Sequence, residues 1–327
     1  MTTTDDRPNP LATLTGDLAL VFPGQGSQFV GMGRALTEQS TAARQVMEEA
    51  DSVLGFPLSA LCFDGPAEEL EDTYNSQPAI LAVSVAALAA LNERVAAEGI
   101  AGGSLSPALL AGHSLGEFTA LVAAESLTFA DALRLVRERG RLMKEAGTDR
   151  PGGMAAVLGL DDAVLEEVVT EAKGAYILVI ANANCPGQTV ISGELAPLER
   201  AVDLAKARGA KRVARLAITI ASHSPLMAGA SERLRALIAE VPIQTPRVPV
   251  VANASAALLA SVDDIRQELA HHVERPVNWT QTITVMAGAG VSTFIEVGPG
   301  QALTGLIKRI DRDVTTLRLE DFGLTAK

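Results

Sequence analysis

Residues 108–111, Ala-Leu-Leu-Ala, form a short apolar run that breaks at Gly112 and passes directly into a helical pattern over 115–124. A run apolar at every position fits a strand buried on both faces, and its hand-over to helix periodicity marks a strand–turn–helix unit of an α/β protein. The turn itself reads Gly112, His113, Ser114, Leu115, Gly116, the G-x-S-x-G pattern. Paired glycines allow a sharp backbone turn, so the serine hydroxyl projects into a cleft and the following amide, from Leu115, points at the same space. Five-residue glycine and serine patterns also occur as plain structural turns. The strand-to-helix setting is what favours a nucleophile at Ser114.

The rest of the chain extends this pattern. An apolar run at 18–22 leads into Pro-Gly-Gln-Gly-Ser-Gln at 23–28, a strand ending in a glycine-rich turn, and helical patterns follow to about Val95. Between 153 and 217 the rhythm changes to strand 154–160, helix 161–172, strand 176–181, strand 188–192, helix 195–208 and strand 212–217. That order, β-α-β-β-α-β, is a ferredoxin-like unit. The larger pattern then resumes with strand 248–251, helices over 262–272 and 279–287, strand 293–297, the turn Gly298, Pro299, Gly300 and a last helix. The expected organisation is a loose extension over 1–16, a large α/β subdomain over 17–147 and 219–320, and a small inserted subdomain over 148–218.

Bulk properties narrow the function classes. A chain of 327 residues with 48% hydrophobic and 20% charged residues can bury a substantial core and is not disordered. Its formal net charge of −12 argues against nucleic acid and anionic membranes as general partners. Cys62 and Cys185 lie far apart without metal-like spacing, which suggests neither a disulfide framework nor a metal site and makes a reducing cytoplasm the simple setting. The polar start lacks the basic and apolar regions of a secretory signal. The longest apolar run, 79–91, is interrupted by Ser84 and is shorter than the ~18 residues of a membrane span, so it reads as a buried core helix.

A serine nucleophile needs a base, and the chain has four histidines. His113 neighbours the serine, where side chains diverge, and suits a pocket wall. His271 and His272 end a helical pattern, a common place for solvated histidines. His223 lies in Ala-Ser-His-Ser-Pro at 221–225, at an expected crossing between subdomains where a loop could present it to the cleft. It is the favoured base. In the helical pattern over 129–146, the positions three and four residues from Arg139 are Leu135, Val136, Leu142 and Met143, all apolar. Arg139 therefore points inward, unlike Arg134, Arg137, Arg141 and Lys144, which read as a solvated face. A buried guanidinium calls for a carboxylate, supplied either by the protein as an internal ion pair or by a ligand.

Several segments together resemble the malonyl-CoA:acyl-carrier-protein transacylases, which are also the acyltransferase domains of fatty acid and polyketide synthases. They are the sequence at 23–28, Gly-His-Ser-Leu-Gly-Glu at 112–117, Arg139 and Gly140 with Met143, Asn-Cys-Pro-Gly-Gln at 184–188, Ser-His-Ser-Pro-Leu-Met at 222–227 and Glu-Val-Gly-Pro-Gly at 296–300. The likeness spans about 17–311 in one order. It implies a hydrolase-like α/β core with a parallel sheet plus the inserted ferredoxin-like subdomain. It further implies Ser114 as nucleophile, His223 as base, Gln25 and the Leu115 amide as oxyanion hole, and Arg139 as the clamp for the malonyl carboxylate. His113, Met143 and Ser222 would line the pocket. A backbone carbonyl at about His272, where the family often has glutamine, would orient the base.

The implied reaction is ping-pong transfer of malonyl from a CoA thioester to the phosphopantetheine thiol of acyl carrier protein, without metal or other cofactor. Carrier proteins are acidic, so this acidic chain would meet one through a local basic patch, either Lys206, Arg208, Lys211 and Arg212 or Lys308, Arg309 and Arg312. Three other readings stay open. Methylmalonyl-selective polyketide relatives tend to read Tyr-Ala-Ser-His at the base, and Ile220, Ala221, Ser222 and His223 share that ending without the tyrosine. A serine hydrolase clearing carrier-protein thioesters would share the nucleophile, base and oxyanion hole. A non-catalytic docking module would keep only the fold.

Overall fold

The computed structural model describes residues 18–99, 104–216 and 218–326. The extension expected over 1–16 and the last residue of the strand expected at 212–217 lie outside these. Among the described residues ten strands run in chain order as β1 (Leu18–Phe22), β2 (Leu109–Gly112), β3 (Gly152–Leu158), β4 (Leu178–Cys185), β5 (Gln188–Glu194), β6 (Arg212–Arg215), β7 (Val250–Val251), β8 (Leu258–Leu259), β9 (Thr293–Glu296) and β10 (Thr315–Arg318). They form two sheets, ordered β10-β9-β1-β2-β7-β8 and β4-β5-β3-β6.

The larger sheet is parallel except for β8. β1 lies inside it and is buried along its whole length. Side chains alternate across a strand, so Leu18, Leu20 and Phe22 enter one apolar cluster while Ala19 and Val21 enter another. The first cluster is closed by the helices Thr73–Ala97, Gly116–Ala123 and Phe129–Asp149. The second is closed by Trp279–Gly288 and Ala302–Ile310, with Trp279 wholly buried. Thr73–Ala97 is long and apolar enough to cross a membrane by length and composition. Here it packs in the core against Thr41–Leu54 and Phe129–Asp149.

The smaller sheet is antiparallel throughout, and the expected β-α-β-β-α-β order is present from β3 to β6. Its helices Asp162–Lys173 and Leu195–Ala207 cover one face with Ala155, Val157 and Ile191. Met154 and Val190 face the other way. β4 differs from expectation: it starts after the exposed Tyr176 and continues through Asn182, Ala183, Asn184 and Cys185. Those asparagines read as loop because they are polar, yet the ladder with β5 persists through two register shifts. Beyond its own sheet, β4 pairs with Val277, whose N–H donates to Ala181 O at 2.8 Å and whose carbonyl accepts from Ala183 N–H at 2.9 Å. The two edge strands, β8 within the short apolar run at 256–260 and β10, were not expected.

At the start of Gly116–Ala123 the backbone crosses itself closely. A Cβ on Gly116 would sit 2.1 Å from Phe22 O, and one on Gly112 would sit 1.9 Å from the Gly116 carbonyl carbon. Neither glycine has a positive φ, whereas Ser114 between them does, at 48°. The glycines therefore serve close approach, and the sharp turn is made at the serine itself. Gly116→Ala is expected to destabilise by about 1–3 kcal/mol or more through overpacking, measured as a lowered denaturant midpoint. An unchanged midpoint would contradict the crossing.

Candidate active site

Ser114 stands between β2 and the helix Gly116–Ala123 with its φ in the left-handed region, where a non-glycine residue is strained. Its N–H donates to Asn253 Oδ1 at 2.7 Å, and Asn253 Nδ2 donates to Gly112 O at 2.8 Å. One amide thus spans the turn on both sides of the serine. The hydroxyl faces a cleft of about 410 Å³ whose wall draws Met154, Asn182, Leu216 and Ile218 from around the smaller sheet.

His223 Nε2 lies 2.9 Å from Ser114 Oγ, and its Nδ1 lies 2.8 Å from Arg275 O. A carbonyl only accepts, so Nδ1 carries the proton and Nε2 offers its lone pair to the serine. The His223 backbone, also at positive φ, donates its N–H to Val273 O at 2.8 Å. Burial first, then the Arg139 charge, hold the imidazole well below the usual histidine pKa. The expected orienting carbonyl at His272 is therefore corrected to Arg275. The helix Val262–Ala270 ends two residues earlier than expected, and the chain folds back through Glu274 N–H and Arg275 N–H, which both donate to His271 O. That turn carries the carbonyls of Val273 and Arg275 to the base, and it buries His272 rather than leaving it solvated.

Arg139 points inward, 1% exposed, with Leu135, Val136, Leu142 and Met143 buried around it on the helix. Its Nη1 donates to Gln77 Oε1 at 2.7 Å, and its Nη2 lies 3.2 Å from both Ser114 Oγ and His272 Nδ1. Among the described residues no carboxylate comes within ion-pair distance of it, and its Nε has no partner. Burial lowers its pKa to about 10, opposed by the Glu117 carboxylate, and a guanidinium there remains charged at neutral pH. Arg137 departs from the solvated face expected of it, with its guanidinium 4.2 Å and 4.5 Å from the ring centres of Phe56 and Tyr74.

Gln25, His113, Met143 and Ser222 also line the cleft. Gln25 Oε1 accepts from Thr73 Oγ1 at 3.1 Å. His113 Nε2 is 2.8 Å from Asn184 Oδ1, and its ring meets Trp279 edge-on. Leu115 caps the N-terminus of Gly116–Ala123, ahead of the Gly116, Glu117 and Phe118 N–H groups, which donate to the carbonyls of His113, Ser114 and Leu115. Sequence reasoning missed Asn253, Gln77 and the role of Glu117. Glu117 follows the serine motif directly on an otherwise apolar helix, a signal that was available. Asn253 and Gln77 sit among ordinary neighbours and gave none.

The chain matches the model of the acyl transferase domain over residues 19–318. It is 44% identical over 305 residues to the malonyl CoA-acyl carrier protein transacylase of Bacillus subtilis (strain 168), covering 93% of each chain. It is 42% identical over 303 residues to the enzyme of that name from Escherichia coli (strain K12), covering 93% of this chain and 96% of that one. Among solved structures, an acyl carrier protein S-malonyltransferase from Vibrio cholerae superposes with a TM-score of 0.86 at 40% identity, over 93% of this chain and 96% of that one. A malonyl-transacylase solved in complex with its type II PKS acyl-carrier protein gives 0.88 at 40% identity with the same coverage.

The depressed pKa of His223 fixes the direction of one test. A base form favoured by burial persists as pH falls through the ordinary histidine value near ~6.5 and is lost only below it. Labelling of Ser114 by a fluorophosphonate is expected to keep its rate through that pH and to decline at lower pH. A midpoint at or above the ordinary value would contradict the arrangement.

Proposed function

The chain belongs to the acyl transferase domain family and, within it, to the malonyl-CoA:acyl-carrier-protein transacylases, and on that footing we propose that malonyl transfer runs through an ester on Ser114. The observation that carries this reading is the state of Arg139: a buried cation 3.2 Å from Ser114 Oγ with no carboxylate of its own among the described residues. One methylene separates the malonyl carboxylate from the reacting carbonyl, so a cation beside Oγ suits a diacid of that length. A neutral acyl group would leave the charge unanswered.

His223 Nε2 takes the Ser114 proton as Oγ attacks the thioester carbonyl. Negative charge on that oxygen falls to the Leu115 amide and Gln25. CoA leaves as its thiol with the proton from His223, and malonyl-Ser114 remains. The phosphopantetheine thiol of acyl carrier protein then attacks the ester, giving its proton to His223, which returns it to Oγ. No atom changes oxidation state, so the scheme needs no redox cofactor, and each proton and charge in it is assigned to a residue of this chain rather than to a metal. Methylmalonyl is the alternative donor, decided beside the base where Ser222 lines the cleft and Ala221 is buried. Cys62 and Cys185 are both free, in keeping with a reducing cytoplasm.

For the carrier protein, the basic cluster around β6 is the better surface. Lys206 faces Asp203, Arg208 pairs with Glu167 and Glu171, and Arg309 is tied to Gln188 and Pro186. Lys211 and Arg212 make no ion pair among the described residues, and neither do Lys308, Arg309 and Arg312; what favours the first cluster is that β6 runs directly into Leu216 of the cleft wall.

Intact-mass measurement after brief exposure to malonyl-, methylmalonyl- and acetyl-CoA is expected to show a malonyl adduct on the parent and none on Ser114→Ala. Arg139→Ala should lose about 10- to 100-fold in kcat/KM for malonyl-CoA, the scale of a charge-assisted hydrogen-bonded pair, and lose its preference over acetyl-CoA. An adduct on Ser114→Ala would overturn the ester, and loss of the acyl group to water faster than to carrier-protein thiol would favour a hydrolase. Lys211→Glu with Arg212→Glu should slow transfer to carrier protein while leaving acylation by malonyl-CoA intact. Unchanged transfer would move the docking surface elsewhere.

A further inference from the structure

Glu117 and His272 are both buried beside the nucleophile, and neither takes part in the steps above. His272 Nδ1 lies 3.2 Å from Arg139 Nη2, and His272 Nε2 lies 3.0 Å from Glu117 Oε2. An arginine has only donors, so Nδ1 must present a lone pair to it, and the single proton of the neutral ring must sit on Nε2, facing the Glu117 carboxyl group. That N–H points off the line to Oε2, so its contact with Glu117 is electrostatic rather than a well-aligned hydrogen bond. Glu117 is itself fixed, because Oε2 also accepts from Asn253 Nδ2 at 2.6 Å. Phe118 backs the group, edge-on to His272 at 5.3 Å.

We propose that His272 is a positioning residue for Arg139, holding the guanidinium beside Ser114 as a neutral acceptor, and thereby sets the enzyme's preference for a dicarboxylic donor. The proposal rests on the reading of Arg139 as the carboxylate clamp. A protein carboxylate in the same place would fix the guanidinium equally well, but it would neutralise the charge and compete with the substrate for it. An imidazole orients without neutralising. Burial, and after it the Arg139 charge, push the His272 pKa down to about 3, so the ring stays neutral wherever the protein is used. Glu117, the nearest carboxylate acting on Arg139, is kept one side chain away.

The test compares kcat and KM for Ser114 acylation by malonyl-CoA and acetyl-CoA in the parent, His272→Leu, His272→Asn, Arg139→Ala and the Arg139→Ala/His272→Leu double variant. Asparagine keeps an acceptor at the position of Nδ1, whereas leucine keeps bulk and has none. His272→Leu is expected to lower the malonyl-to-acetyl ratio of kcat/KM about 10-fold, the effect of one lost hydrogen bond to a charge, chiefly through the malonyl-CoA KM. His272→Asn should restore most of the ratio. In the Arg139→Ala background, His272→Leu should leave the ratio where Arg139→Ala put it. If leucine is not accommodated and the variant fails to fold, His272→Ala takes its place with the same expectation. A ratio unchanged by His272→Leu, an asparagine variant as damaged as leucine, or effects that multiply in the double variant would each overturn the inference. If Arg139→Ala itself kept the parent ratio, the clamp reading would fall instead, and the two failures are thereby told apart.

Discussion

The left-handed backbone at Ser114 is the constraint on which the site depends. A serine there is strained, and it is held by contacts from three parts of the chain: Gly116 pressed on Phe22 O, Gly112 pressed on Gly116, and Asn253 Oδ1 accepting the Ser114 N–H. The side-chain direction of the nucleophile is therefore a property of the parallel sheet, because β1, β2 and the segment after β7 each supply one of those contacts. His223 repeats the device on the facing side, with a positive φ and its ring and N–H anchored on the carbonyls of Arg275 and Val273.

The charge on Arg139 organises what lies between them. It lowers the proton affinity of His223 and His272, second in each case to burial, and it opposes the rise of Glu117 to about 8 that burial causes. The cluster holds one buried cation, two neutral imidazoles and, set back from the cation, a carboxyl group that burial keeps largely protonated at neutral pH. It is a site with an electrostatic deficit where the substrate's carboxylate belongs, which is also why the adjacent base stays unprotonated and ready to accept.

The sequence revealed most where a single residue violated its surroundings. Ser114 broke a strand into a helix, and Arg139 put a charge on an apolar face; both were readable from spacing alone. The order of elements from β3 to β6 was equally plain, because helix and strand periodicities differ sharply there. What was hidden depended on tertiary closure. The carbonyl that orients His223 was expected at His272 but comes from Arg275, since the helix Val262–Ala270 stops two residues short of its expected end and the turn that follows redirects the next five residues. Asn182 and Asn184 disguised the end of β4 because a strand whose polar side chains serve a cleft resembles a loop in composition. Asn253 carries no periodic signal, and its importance exists only through groups more than a hundred residues away, the Gly112 carbonyl, the Ser114 amide and the Glu117 side chain.

The pairing of β4 with Val277 has a mechanical consequence. The short segment that closes this ladder on Val277 also contributes, at Val273 and Arg275, the two carbonyls that hold His223. The smaller sheet is thus fastened to the larger body by the same few residues that aim the base. Any rocking of that sheet that widened the cleft for a bulky thioester would pull on the mounting of His223. Aperture and aim are one degree of freedom in this protein, and a partner that grips the smaller sheet holds a lever on the base.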